Sequence, residues 1–113
     1  MTQSQDIVKA ILSAKTAVVV SHVNPDGDTL GSMLALAQVL EQAGVTRVDR
    51  VMHDQVPDIY RFFPGQDKVT CSQDTDIDIL QEYDMSFSCD CGSVARLGSA
   101  GEIWARAKIT CNI

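Results

Sequence analysis

The sequence has few positive charges and no long apolar run. Nine Lys and Arg residues stand against fifteen Asp and Glu residues, so the formal net charge is −6. Because nucleic acid is normally held by clustered Lys and Arg, this balance argues against a surface that binds phosphates through protein charge alone. Apolar runs such as residues 17–20 are also far too short to cross a bilayer. Recognition of a phosphate would need a local positive centre, which bound divalent cations can supply.

The N-terminal residues lack the charged start and apolar stretch of a secretory signal. We therefore expect a soluble, cytoplasmic chain whose cysteines are reduced and which does not contact a membrane. Cys89 and Cys91 are separated by one residue, whereas zinc sites and redox pairs usually have two between their cysteines. The four cysteines are predicted to be buried, unreactive thiols rather than metal ligands.

The 113 residues are enough for one compact domain, and a second domain would have to lie outside this chain. Hydrophobic residues make up 45% and charged residues 21%, which is typical of a globular protein. The sequence contains no internal repeat, low-complexity tract or long linker. Residues 1–113 are therefore interpreted as one unit with its own core.

Short strands alternate with helices along the chain. Apolar residues recur at helical spacing in two segments, the second of which starts with Asp28 or Thr29 as its cap and stops near Gly44. Residues 57–63 suggest a short helix or turn, and the acidic residues 66–82 have no clear pattern. Strands are predicted at residues 17–20, 47–52, 83–91 and 109–113, and helices at residues 4–13, 28–44 and 99–108.

This alternation predicts an α/β fold with three layers, in which helices cover both faces of a mostly parallel sheet. In such sheets, ligands bind beyond the carboxyl ends of the strands. His22, Asp26 and Asp28 follow the first predicted strand, and Asp90 lies at the end of the third. These four residues can therefore meet at one edge of the sheet.

The segment from His22 to Asp28 offers one imidazole and two carboxylates, a ligand set suited to manganese and similar divalent ions. Gly27 is expected to let the backbone bend sharply between the two acids. Closely packed acids repel each other unless a positive charge lies between them. A purely structural interpretation of this segment stays open, because its sequence also suits a turn followed by a helix cap.

Three other kinds of site were compared with these residues. An EF-hand loop starting at Asn24 would need Gly and Glu where the chain has Thr29 and Ala35. A phosphatase that forms an aspartyl-phosphate intermediate would need Asp where the chain has Asn24. A receiver-like phosphoacceptor or non-catalytic binding domain remains an alternative, with Asp90 as the phosphoacceptor, although His22 has no role in it.

Two segments resemble the motifs of a known family. Residues 21–32, Ser-His-Val-Asn-Pro-Asp-Gly-Asp-Thr-Leu-Gly-Ser, look like the first motif of the DHH phosphoesterases. Residues 90–98, Asp-Cys-Gly-Ser-Val-Ala-Arg-Leu-Gly, look like their second motif. The surrounding pattern most resembles the branch of stand-alone nanoRNases (oligoribonucleases) and pAp phosphatases, which is related to RecJ-type exonucleases.

The resemblance implies a hydrolase with two Mn²⁺ ions, or Mg²⁺ in their place. In this scheme His22 and Asp26 hold one ion, Asp28 holds the other, and Asp90 bridges both. The implied substrates are short oligonucleotides or pAp, cleaved by a two-metal mechanism.

The resemblance also implies parts that this chain lacks. The Asp-His-His motif that names the family is expected just after a strand like residues 109–113, where the sequence ends, and a C-terminal substrate-binding domain is expected beyond it. We therefore expect the 113 residues alone to bind metal weakly and to turn over little or no substrate. A parallel sheet that ends here would have an open edge, which favours pairing with a second copy as a homodimer.

Three further residues lie near the predicted site. Arg96 can reach a substrate phosphate, but pairing with a nearby carboxylate is the favoured interpretation. His53 ends the second predicted strand and is interpreted as an exposed loop histidine. Ser32 can offer a hydroxyl to the ligand or allow close helix packing.

Overall fold

The computed structural model describes residues 3–23, 26–74, 77–89 and 94–112. Short 3₁₀ turns occur at Asp58–Tyr60, Gln66–Lys68 and Val94–Leu97. The helices are α1 (Gln3–Ser13), α2 (Gly27–Gln42) and α3 (Ala100–Trp104), and the strands are β1 (Thr16–Ser21), β2 (Arg47–Met52), β3 (Val69–Cys71), β4 (Tyr83–Cys89) and β5 (Ala107–Asn112).

The five strands form one sheet in the order β3-β2-β1-β4-β5, and every neighbouring pair is parallel. β1 lies at the centre, where Val18, Val19 and Val20 are completely buried. A run of β-branched residues suits such a strand because both of its faces are covered. β2 and β3 extend the sheet on one side of β1, whereas β4 and β5 extend it on the other side. The carboxyl ends of β1 and β4 therefore form the switch point at which open α/β sheets bind ligands.

Helices cover both faces of the sheet, as the predicted three-layer α/β fold requires. On one face, α2 packs through a stripe at helical spacing that includes Leu30, Met33 and Leu40, all buried. On the other face, Leu97, which precedes α3, joins residues of α3 against the central strands. Burial of each large aliphatic side chain contributes roughly 1.5–3 kcal/mol, so the two clusters hold the sheet from both sides.

Several predicted boundaries differ from the structure. The cap of α2 is Asp26, not Asp28 or Thr29, because the Asp26 carboxylate accepts the backbone N–H of Thr29 at 2.8 Å. The unassigned acidic segment contains β3, which pairs with β2. α3 ends at Trp104 rather than near residue 108, because pairing of Tyr83 with Ala107 begins β5 there.

Cys71 and Cys89 are buried, as predicted, and Cys111 is partly buried. Burial raises the pKa of the Cys111 thiol, which makes it less reactive. Cys91 lies outside the described residues. None of the described helices is long and apolar enough to span a membrane.

Candidate functional site

The predicted site lies where β1 and β4 end side by side. Ser21, the last residue of β1, is in register with Cys89, the last residue of β4. His22 is therefore the first residue beyond β1 at the switch point of the sheet. Asp90, which follows Cys89 in the sequence, lies outside the described residues. The structure thus describes three of the four predicted ligands: His22, Asp26 and Asp28.

His22 is held in one orientation by hydrogen bonds on both ring nitrogens. Its Nδ1 is 2.6 Å from the carbonyl oxygen of Val23, and its Nε2 is 3.2 Å from the hydroxyl oxygen of Thr29. A carbonyl oxygen can only accept, so Nδ1 carries a proton and the lone pair of the neutral ring is on Nε2. A histidine that binds a metal usually has this arrangement, with the ring nitrogen opposite the metal donating to a carbonyl or carboxylate.

Asp26 is an exposed carboxylate at the N-terminus of α2. The hydrogen bond from the backbone N–H of Thr29 lowers the pKa of Asp26, and the Thr29 hydroxyl and the nearby His22 ring lower it further. Asp26 is therefore ionised at neutral pH and is oriented by the helix that it caps. Thr29 therefore links the two residues, through its backbone N–H to Asp26 and its hydroxyl to His22.

Asp28 is exposed in the first turn of α2. The residue before it, Gly27, does not form the sharp bend that the sequence suggested. Its backbone is helical, and positive φ angles occur elsewhere among the described glycines. A Cβ atom at position 27 would come within 3.3 Å of Cε1 of Tyr60, so Gly27 lets Tyr60 pack closely against the start of α2. The expectation of a glycine turn between the two acids was therefore wrong.

The donor types of His22, Asp26 and Asp28 suit a divalent cation such as Mn²⁺ or Mg²⁺. Within the described ranges, however, no three His, Cys, Asp or Glu side chains come close enough together to hold a metal ion by themselves. A complete ligand set would have to include residues beyond those described, and Asp90 is the predicted candidate.

The sequence did not single out Thr29 as part of the site. Thr29 is 1% exposed; its hydroxyl contacts the His22 ring and also lowers the pKa of Asp26, which accepts the Thr29 backbone N–H. A threonine three residues after a cap is common in helices, so no pattern in the sequence distinguishes this contact. The contact of Asp26 with Thr29 is local to the start of α2, whereas the contact of His22 with Thr29 depends on how α2 packs against β1.

Two further predictions require correction. Arg96 is exposed, and its side chain makes no ion pair with a described residue, so the favoured carboxylate pairing is not observed. Its backbone carbonyl instead accepts the N–H of Val23 at 2.6 Å. His53 is partly buried and hydrogen-bonded to Ser99, so it is not an exposed loop histidine.

Ser32 has an exposed side chain on α2, which removes the reason to assign it to close helix packing. Its other suggested role, as a hydroxyl donor to a ligand, remains a prediction.

The strand order also bears on the receiver-like alternative. Receiver domains follow the order 2-1-3-4-5 in their sheet. Here the third strand lies at the edge beside β2, and β4 is the neighbour of β1. The topology therefore argues against a receiver-like phosphoacceptor.

Comparison with known proteins agrees with this topology. The structure is similar to that of an exopolyphosphatase-related protein from Bacteroides fragilis, with a TM-score of 0.78 over 98% of the chain at 22% identity. The chain spans 39% of the length of that protein, and at this identity the likeness shows the fold. The model of the DHH family, N-terminal domain, matches residues 16–111. Since this match includes most of the sequence, the chain belongs to the DHH family and carries its N-terminal domain.

Proposed function

We propose that this chain forms the first part of the catalytic site of a metal-dependent phosphoesterase that acts in the cytoplasm. The proposed substrates are short oligonucleotides (nanoRNA) or pAp, and the proposed metal is Mn²⁺, with Mg²⁺ as a substitute. Membership of the DHH family supports a phosphoesterase. The observation that carries the proposal is the position of His22, which follows β1 at the switch point with its Nδ1 bound to a backbone carbonyl.

In this proposal His22 and Asp26 would hold one cation, Asp28 would hold the second, and Asp90 would be a ligand shared by both. The Val23 carbonyl orients the His22 ring, and a cation at Nε2 would take the place of the Thr29 hydroxyl that contacts this nitrogen. The hydrogen bonds to Asp26 keep its carboxylate charged and fixed at the start of α2. When bound, a pair of divalent cations supplies the positive charge that attracts phosphoryl oxygens and activates water.

The net charge of −6 is compatible with a small anionic substrate that is held mainly by the cations. A long nucleic acid would instead need an extended basic surface. The similar protein from Bacteroides fragilis is described as exopolyphosphatase-related. Inorganic polyphosphate is therefore included as a rival substrate in the test.

The test measures Mn²⁺ binding to the 113-residue chain and to four variants. Asp26→Ser retains an oxygen that caps α2 but removes the carboxylate, whereas Asp26→Ala removes both. We expect both variants, and Asp90→Ala, to bind Mn²⁺ roughly tenfold more weakly or worse. Asp26→Ala alone should also lower the melting temperature. Asp78→Ala is the matched control, because Asp78 is 94% exposed and contacts Arg47, the first residue of β2. Arg47 lies at the amino ends of the strands, away from the proposed site at their carboxyl ends.

Hydrolysis of nanoRNA, pAp, polyphosphate and bis(p-nitrophenyl) phosphate is then measured with and without Mn²⁺. Asp90→Ala should abolish any Mn²⁺-dependent turnover. Unchanged Mn²⁺ binding and hydrolysis in Asp90→Ala would falsify the proposal. Labelling of Asp90 by acetyl phosphate, without Mn²⁺-dependent hydrolysis, would support the receiver-like alternative instead.

A further inference from the structure

A second histidine lies level with His22 at the carboxyl edge of the sheet. Val20 of β1 and Val51 of β2 are the last pair in register, and His22 and His53 each follow two positions later, just beyond the ends of the two strands. Neighbouring parallel strands are about 4.8 Å apart, which brings the backbones of the two histidines close together at this edge. His53 is therefore a neighbour of the proposed metal site.

The hydrogen bonds of His53 determine which ring nitrogen carries the proton. The backbone N–H of Ser99 donates to Nδ1 of His53 at 3.0 Å, and the Ser99 hydroxyl oxygen is 2.8 Å from the same nitrogen. A nitrogen that accepts a backbone N–H cannot carry a hydrogen itself. The ring proton of His53 is therefore on Nε2, the opposite of the neutral His22 ring.

The surroundings of the His53 ring keep it in this orientation. Gly98 has a φ of +58°, and a Cβ atom there would come within 2.7 Å of Cγ and Nδ1 of His53. Ser99, the next residue, hydrogen-bonds through its hydroxyl to the hydroxyl of Ser72. The backbone carbonyl of His53 also accepts hydrogen bonds from Cys71 and Gln73. The His53 ring thus packs against Gly98 and is linked through Ser99 to Ser72, the residue after β3.

The Nε2–H of His53 has no hydrogen-bond partner among the described residues. His53 is partly buried, and its Nε2 is not among the buried side-chain atoms without a partner in the described residues, which are Arg50 Nε and Trp104 Nε1. A donor that is fixed in direction, has no described partner and lies beside a proposed cation site is suited to an anionic oxygen.

We propose that His53 binds the substrate by donating its Nε2–H to a phosphoryl oxygen, an inference that rests on the proposed function. The two histidines would then have different roles: His22 would supply Nε2 as a ligand to the cation, and His53 would supply its Nε2–H as a donor to the phosphate. A substrate oxygen held by both would be positioned between the cation and a neutral donor. This role uses hydrogen bonding by His53, not proton transfer.

Two substitutions at position 53 separate the two ring nitrogens. In His53→Asn, the side-chain oxygen can replace Nδ1 and accept the Ser99 N–H, but the donor at Nε2 is lost. In His53→Gln, the side-chain NH₂ can replace the Nε2–H donor, but the bond to Ser99 is lost. The probe is AMP, a nucleotide phosphate monoester, titrated with Mg²⁺ into the ¹⁵N-labelled 113-residue chain and followed in long-range ¹H–¹⁵N spectra of the imidazoles.

We expect wild-type spectra to show an Nε2–H tautomer for His53 and an AMP-dependent shift of its ring signals. His53→Asn should melt at the wild-type temperature and bind AMP about tenfold more weakly, whereas His53→Gln should retain most of the affinity and melt lower. An Nδ1–H tautomer, a His53 ring that AMP does not shift, or equal AMP affinity in His53→Asn would overturn the inference.

The two proposals fail in different ways. If the proposed function is wrong, metal will not shift the His22 ring signals at any concentration tested. If only the inference about His53 is wrong, the metal-dependent shift at His22 will remain, and the His53 variants will bind AMP as the wild type does.

Discussion

At the scale of single residues, Asp84 shows how one carboxylate joins two strands. Its side chain accepts the backbone N–H groups of Lys15 and Thr16 at 2.8 and 3.3 Å, and its own N–H donates to the Thr16 hydroxyl at 3.0 Å. These hydrogen bonds therefore join the start of β4 to the start of β1. The hydrogen bond from Lys15 contributes most to lowering the pKa of Asp84.

We predict that Asp84→Ala lowers the free energy of unfolding by about 1 kcal/mol at neutral pH, a low value because 35% of the side chain is exposed. The native pKa lies below the ordinary value of 3.8, so this stabilisation is present above that value and is lost as the pH falls through the native pKa. Urea unfolding at neutral and strongly acidic pH measures the difference. Asp78→Ala serves as the control, and an equal loss for Asp84→Ala at both pH values would contradict the prediction.

The residue types of the candidate site could be predicted from the sequence, but their contacts could not. His22, Asp26 and Asp28 follow a strand, and this position alone makes them candidate ligands. The positions of the Thr29 hydroxyl and the His53 ring depend on how α2 and β2 lie against β1, which residue order does not specify. Polar contacts of this kind become visible only when strand register is known.

At the scale of secondary-structure elements, a buried ion pair connects α2 to β2. The side chain of Arg50 is 5% exposed and donates to Glu41 at 2.6 Å and to the Val48 carbonyl at 3.0 Å. Its Nε has no partner within the described structure. Glu41 is 43% exposed, so the arginine carries most of the desolvation cost.

We predict that Glu41→Ala destabilises the protein by about 1–2 kcal/mol, because it leaves a buried guanidinium without its carboxylate. Arg50→Met should be neutral or stabilising, since it fills a similar volume without a buried charge. Chemical denaturation of both variants and of the double mutant measures the coupling. If Arg50→Met is more destabilising than Glu41→Ala, the attraction between Arg50 and Glu41 exceeds the free energy of desolvating Arg50. That result would contradict the prediction.

The elements with strong patterns were predicted well. β1 is a nearly continuous apolar segment, and the buried stripe of α2 repeats at helical spacing from Thr29 to Leu40. β3 has three residues, too few for a recognisable pattern, and its pairing with β2 determines it. The predicted extension of α3 into β5 failed because the pairing of Tyr83 with Ala107 overrides helical propensity.

At the scale of the whole molecule, β5 forms one edge of the sheet. Most of its residues are exposed, and Ile109 is 46% exposed. An edge strand offers unpaired backbone groups and invites another strand to add to the sheet. The homodimer suggested by the sequence would use this edge.

We therefore predict that the chain self-associates and that Ile109→Lys reduces the associated fraction, because a charge on an edge strand opposes pairing. Sedimentation velocity at several protein concentrations measures the association. Val39→Lys is the matched control, since Val39 is an equally apolar residue on α2 with 57% exposure and lies away from the edge. Equal effects of the two substitutions would point to general solubility rather than to strand pairing.

The strand order has a consequence for synthesis of the protein. The central strand β1 is made early, but its second partner, β4, ends at Cys89. A nascent chain emerging from the ribosome must therefore keep its most apolar strand half-paired until about four-fifths of these 113 residues have been translated. Because such non-local pairing is slow, this interval is when the nascent chain depends most on chaperones.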